Sequence, residues 1–213
     1  MKTSYFIIII MGIAMAGMAA KIMLGTSEHK ADTGLEETSA GPITIENIMT
    51  RTSVRAYSDR PVSEATVDTL LRAAMAAPTA RNAQPWQFVV ITDRAKLDSI
   101  AVNNQNIKMA AEAPLAIAVC GDMSKALEGH GQDYWIQDCS AATENLLLAA
   151  HAMGLGAVWC GIYPIPERVA FVSSLLSLPD HIIPLNIIPI GYPKAAGTPK
   201  EKFDSLNIHY NNY

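Results

Sequence analysis

The segment Ala77-Pro78-Thr79-Ala80-Arg81-Asn82-Ala83-Gln84-Pro85-Trp86-Gln87-Phe88 sets a guanidinium, two carboxamides and a hydroxyl between two prolines. A carboxamide presents a donor beside an acceptor, so such a loop can read the edge of a flat, polar heterocycle. It reads equally as an ordinary helix-to-strand connection whose polar groups face water. Pro78 pushes the residue before it out of helical conformation and Pro85 sets a second bend, so the loop between them is short and fixed. Upstream, Arg51-Thr52-Ser53-Val54-Arg55 alternates. If extended, it places Arg51, Ser53 and Arg55 on one side, where two cations and a hydroxyl suit a phosphate. Two solvated arginines are the plainer reading of that pentapeptide taken alone.

Other chemistries lack their residues. Gly154-Leu155-Gly156 follows a helical pattern rather than a strand and has no third glycine, which excludes a dinucleotide-binding turn. There is no Gly-x-Ser-x-Gly elbow, no Walker-type lysine loop and no evident carboxylate dyad. The five histidines are scattered and no Cys/His pair has zinc-ligand spacing, so no protein-bound metal is expected. Cys120, Cys139 and Cys160 sit in apolar segments, as buried thiols do. A net charge of -4 without any basic run gives no surface for nucleic acid. Polar groups for a ring, cations for a phosphate and no proton-transfer apparatus describe an enzyme whose bound cofactor carries the chemistry.

The elements that must hold these groups follow from periodicity. A chain of 213 residues, 50% hydrophobic, can bury one sizeable core. Ile45, Ile48 and Met49 have helical spacing after Thr44, a good N-cap, and deliver the chain to Arg51. Ser63 caps a helix striped by Val67, Leu70, Leu71, Ala74 and Met75, which ends at Pro78. Phe88–Ile91 is a short strand, Asp93 caps a helix with Leu97, Ile100 and Ala101, and a short helix through Met109 and Ala113 leads to Pro114. Leu115–Cys120 reads as a strand buried on both faces. Residues 122–133 form a polar surface excursion, and Tyr134–Met153 the longest helix, ended by Gly154. Ala157–Gly161 reads as one strand, Pro166 opens a helix, and Ile182–Gly191 is the last internal strand. The tail Tyr192–Tyr213 lacks periodicity and suits wrapping over a second copy of the chain.

The N-terminus has a different character. Lys2 precedes an apolar run, Tyr5 to Ala20, with a small-residue end, the pattern of a signal peptide or membrane signal anchor; the run resumes at Ile22-Met23-Leu24. Residues 1–24 are therefore expected to target the chain to a membrane, placing it in an exported, periplasmic or membrane-anchored location, with cleavage and sidedness left open. Residues 25–41 read as a polar linker and 42–213 as the folded domain.

Four motifs in order, Arg51-Thr52-Ser53-Val54-Arg55-Ala56-Tyr57, the Ala77–Trp86 loop, Gly154–Gly161 and Pro189-Ile190-Gly191-Tyr192-Pro193, resemble the FMN-dependent nitroreductase family from about Ile43 to the end. The resemblance implies an α/β (α+β) fold, a three-layer sandwich with a mostly antiparallel central sheet. It also implies an intertwined homodimer whose subunits exchange C-terminal tails, with FMN at their interface. By position, Arg51, Thr52, Ser53 and Arg55 would contact the FMN phosphate and ribityl chain. Asn82 would read the flavin ring and Gln84 support it, with Pro78, Thr79 and Ala80 lining the pocket. Gly161 and Ile162 stand where family members offer a main-chain N–H toward flavin N5; many larger members have glutamate in place of Gly161. Lys200 and Lys202 match a basic pair that closes on the phosphate. The implied activity is hydride transfer from NADH or NADPH to FMN and reduction of a nitroaromatic, quinone or similar small-molecule acceptor in a ping-pong cycle. The alternative is an exported or membrane-tethered flavin electron-relay protein that does not use NAD(P)H directly.

Overall fold

Leu115–Asp122 is the central strand of the fold, and every residue in it is buried. Ala116, Ala118 and Cys120 pack into one apolar cluster, while Leu115, Ile117 and Val119 pack into another. That alternation is the period of two imposed by an extended chain, and here both faces are covered. The computed structural model describes residues 40–213, within which Ile43–Tyr213 form one compact unit.

Five strands make the sheet: β1 (Trp86–Ile91), β2 (Leu115–Asp122), β3 (Gly156–Ala157), β4 (Cys160–Gly161) and β5 (Ile182–Gly191). Their order is β1-β2-β5-β3, with β4 also on β5, and each of these pairings is antiparallel. Among the described residues five α-helices accompany them: α1 (Ala40–Thr50), α2 (Glu64–Met75), α3 (Arg94–Asn103), α4 (Tyr134–Ala152) and α5 (Pro166–Leu176). Leu70 and Ala74 of α2 and Ala142, Leu146 and Ala150 of α4 bury against the face carrying Ile117. Leu97 and Ile100 of α3, Ile107 and Met109 of the following 3-10 turn, and Val172 of α5 cover the other face. The result is the expected three-layer α/β sandwich with a mostly antiparallel centre.

The caps follow from local chemistry. The Ser63 hydroxyl accepts the Thr66 N–H at 3.2 Å, and the Asp93 carboxylate accepts that of Ala95 at 2.9 Å, each satisfying a donor that the first turn leaves free. Gly154 ends α4 at φ 72°, the left-handed cap that glycine adopts without penalty.

Four expectations are corrected. Helix α1 begins at Ala40, so Thr44 lies inside it rather than at its cap, and the end of the expected linker is helical; Pro42 is tolerated because the first turn needs no N–H. Ala157–Gly161 is not one strand but two short pieces, β3 on Ile190-Gly191 and β4 on Asn186-Ile187. Pro189 lies between those two pairings and has no N–H to give to a continuous ladder. The short helix expected through Met109 and Ala113 is of 3-10 type and ends earlier, spanning Gln105–Ala111. Helix α2 ends at Met75, before Pro78. The membrane-targeting reading of residues 1–24 falls outside the described residues; among those described, no helix is long and apolar enough to cross a membrane.

Candidate functional site

The chain leaves α1 at Thr50 and enters Arg51-Thr52-Ser53-Val54-Arg55, which the sheet edge holds extended. Ser53 makes a parallel bridge to Ala157, and the Val54 N–H donates to the Ala157 carbonyl at 3.0 Å. Gly156 permits this approach, since a Cβ there would lie 2.5 Å from Val54 Cγ1. Two residues on, buried Tyr57 donates its hydroxyl to the Val54 carbonyl at 2.7 Å, and the Ser58 N–H donates to the Tyr192 carbonyl at 2.9 Å. The segment is thus fixed at both ends. Arg51 is steadied by Glu144 of α4, with Nε 3.2 Å from Oε1.

The C-terminal tail returns to this segment. Gly197 packs so closely on Thr52 that any Cβ at that position would collide with the Thr52 hydroxyl. Arg51, Thr52, Ser53 and Arg55 from the start of the domain then meet Gly197, Thr198, Lys200 and Lys202 from its end around one cleft of about 260 Å³. Four cations and three hydroxyls face it, and no carboxylate belongs to its lining. Its donor set fits a phosphate monoester, which needs several charge-assisted hydrogen bonds and offers none in return.

The Pro78–Pro85 loop is built differently. Ala80–Asn82 forms one 3-10 turn, and Arg81, Asn82 and Gln84 all take positive φ, 51°, 56° and 49°. For residues with a Cβ this costs roughly 1–2 kcal/mol each. Such a conformation persists only where the surroundings over-determine it. Four hydrogen bonds do so. The Asn82 N–H donates to the Thr79 carbonyl at 3.1 Å, and the Gln84 N–H to the Thr79 hydroxyl at 3.2 Å. The Gln84 side-chain amide donates to Asn82 Oδ1 at 3.2 Å, and the Ala80 N–H to Asp138 Oδ1 at 2.9 Å. Gln84 therefore supports the exposed Asn82 carboxamide through its oxygen, and none of the hydrogen bonds seen among the described residues uses the Asn82 NH₂ group.

Asp138 was not among the residues singled out from sequence, although a signal existed. It shares the helical face of Trp135, Cys139 and Ala142, all buried, so periodicity put a carboxylate on the inner side of α4. Glu144, Gly197 and Thr198 also escaped notice, because each acts only through a partner distant in sequence. Replacing Asp138 by alanine removes the loop's anchor; a loss of about 1–3 kcal/mol is expected, with faster amide exchange over residues 79–84 than elsewhere. Hydrogen-exchange mass spectrometry would check both the magnitude and its localisation.

Gly161 and Ile162 form a third group. Gly161 is exposed, and a Cβ there would meet open space. Its carbonyl accepts from Arg168 Nη1 at 3.1 Å. Ile162 is buried, and its N–H is already given to the Leu185 carbonyl at 3.0 Å, where a bulge in β5 turns that carbonyl out of the β2 ladder. Gly161 is thus the accessible member of the pair. The anion cleft contains neither Asn82 nor Gly161; Ala80 lines a cavity of about 620 Å³ and Ile162 one of about 90 Å³. Pro78 lies exposed at the start of the loop.

The thiols stay out of this chemistry. Burial pushes Cys120 and Cys139 up to about 12 and Cys160 up to about 11, and none is paired. At pH 8 about one Cys160 thiol in a thousand is then thiolate, and about one in ten thousand of the other two. All three are expected to resist iodoacetamide in the native state and to react promptly in denaturant, as counted by intact mass. No group of histidine, cysteine and carboxylate residues able to hold a metal occurs among the described residues.

A three-layer sandwich that carries one cleft lined by cations and hydroxyls, and a separate strained carboxamide loop, has the groups that a mononucleotide-binding α/β protein needs. The comparison with known families makes this specific: residues 48–106 and 102–192 match the model of the Nitroreductase family, and the chain belongs to that family. It is 49% identical to a crystal structure from Parabacteroides distasonis, provisionally named an NADH dehydrogenase/NAD(P)H nitroreductase, which covers 80% of this chain and 99% of that one with a TM-score of 0.77. A similarly named protein from Methanothermobacter thermautotrophicus is 41% identical over 189 residues, 88% of this chain and 97% of its own length. A nitroreductase from Desulfovibrio desulfuricans, provisionally so assigned and solved in complex with FMN, is 30% identical over 80% of this chain and 97% of its own, with a TM-score of 0.70.

Proposed function

We propose that this protein is an FMN-dependent oxidoreductase of nitroreductase type, drawing electrons from NADH or NADPH and passing them to a nitroaromatic, quinone or similar small acceptor. The observation that carries the reading is the cleft in which Arg51, Arg55, Lys200 and Lys202 converge with three hydroxyls. It would hold the FMN phosphate, with Thr52 and Ser53 toward the ribityl chain. Asn82, held by Gln84, would grip the ring edge, and Gly161 would approach it without a side chain in the way. Bound flavin supplies reversible two-electron chemistry, so the chain itself needs no acid or base. Its residues bind, orient and exclude water. For a quinone the balance is NAD(P)H plus one proton plus quinone, giving NAD(P)⁺ plus hydroquinone, the second proton of the product coming from water.

The names of the relatives support this reading, including an oxygen-insensitive NADPH nitroreductase from Salmonella typhimurium and two FMN reductases from Bacillus subtilis. The functional unit is proposed to be a homodimer with exchanged tails. Phe203, Leu206 and Tyr210 are 74%, 80% and 85% exposed in the single chain, and such side chains ordinarily find apolar cover. Residues 1–24 are proposed to deliver it to a membrane.

The test is the visible spectrum of the purified full chain, followed by anaerobic mixing with each donor. Yellow protein bleached by NADH or NADPH and recoloured by a quinone is the expected result. Yellow protein bleached by neither would replace the reductase with an electron relay, and protein that stays colourless in excess FMN would overturn both.

A further inference from the structure

Arg81 is left unexplained by cofactor binding. It stands beside Asn82 in the strained loop at φ 51°, its side chain is exposed, and it makes none of the hydrogen bonds or ion pairs seen among the described residues. Arg81 lines a cavity of about 620 Å³. The opposite wall comes from the 122–133 excursion and the start of α4: Leu127, Glu128, Gly131 and Tyr134. Tyr134 exposes 46% of its surface although it opens the longest described helix, and it belongs to the cavity lining. Glu128 lines the same space but forms no ion pair with Arg81, since no carboxylate lies within 4.0 Å of that guanidinium among the described residues.

We propose that this cavity is the acceptor site and that Arg81 selects planar aromatic acceptors carrying an anionic group, a carboxylate or sulfonate on the ring. The guanidinium pairs with the anion, Tyr134 and Leu127 flank the ring, and Glu128 disfavours a second negative charge on the far side. An unpaired guanidinium in a partly enclosed cleft gains more from a carboxylate than a fully solvated one does. The same anion chemistry also occurs on the nicotinamide donors, and the test separates the two sources. This inference rests on the reductase reading above.

The decisive comparison is 4-nitrobenzoate against nitrobenzene, which differ by one carboxylate, in the wild-type holoenzyme and in Arg81→Asn; asparagine tolerates the left-handed conformation. Wild type should prefer 4-nitrobenzoate, and Arg81→Asn should lower kcat/KM for it about tenfold, through KM, while leaving nitrobenzene within about twofold. Rising salt should erode the preference in wild type and not in the variant. Equal loss on both substrates, no loss on either, or a rise confined to the KM for NADH or NADPH would overturn the proposal. Equilibrium dialysis of radiolabelled 4-nitrobenzoate keeps it testable without turnover. If neither nitro compound nor a quinone is reduced, the reductase reading fails. Arg81-dependent binding of the anion would still sustain the site, and its absence would remove it.

Discussion

Arg51→Ala combined with Lys202→Ala is expected to lower FMN affinity by roughly two to four orders of magnitude while leaving riboflavin affinity within about threefold. The two cations reach one cleft from opposite ends of the domain, so neither compensates for the other. Each charge-assisted bond to a phosphate contributes about 1.5–3 kcal/mol, and two such losses define the range. Riboflavin is the control that matters, because it has the ring and ribityl chain without the phosphate. If both flavins weaken alike, the cleft does not hold the phosphate and the cofactor assignment of these residues falls. The fold should survive the substitutions. The Arg51–Glu144 pair leaves Glu144 about half exposed, so the freed carboxylate is rehydrated, and Lys202 lies on the exposed tail. Circular dichroism and fluorescence titration with each flavin would settle the matter.

Ile117→Ala is expected to cost about 2–5 kcal/mol of stability, the largest effect anticipated for a single side chain here. Ile117 is fully buried at the middle of β2, paired to Val90 on one side and Ile188 on the other, and packs in the cluster beneath α2 and α4. Removing three carbons there leaves a cavity that two neighbouring strands and two helices cannot close by moving independently. Thermal unfolding of the apoprotein should shift down by roughly 5–15 °C for a domain of this size. Excess FMN should recover part of the loss in this variant, because ligand binds only the folded state. It should recover much less in the Arg51/Lys202 double variant. The pair of experiments thus separates damage to the core from damage to the site.

Much of the architecture was legible from pattern. The unbroken apolar run of Leu115–Cys120 announced a strand covered on both sides, and Ser63, Asp93, Pro166 and Gly154 marked helix ends by chemistry that needs only neighbours in sequence. The misreadings arose where a distant partner decides. Ala157–Gly161 has the composition of one strand, and the proline that interrupts its ladder lies in β5. Thr44 has the chemistry of a cap, but the helix had already begun at Ala40.

The same division runs through the site. Alone, the chain's order of residues established which groups were available: guanidinium and ammonium for an anion and carboxamides for a ring edge, without the spacing of a serine elbow, a carboxylate dyad or a zinc site. Those are properties of side-chain types and local spacing. Only the tertiary structure decided that Lys200 and Lys202 share a cleft with Arg51 and Arg55, that Gly197 exists to let the tail close on Thr52, and that buried Asp138 pins a loop with three residues in left-handed conformation. These juxtapositions join residues more than fifty positions apart. They are chosen by the packing of the whole sandwich, a sum over contacts that no local window contains.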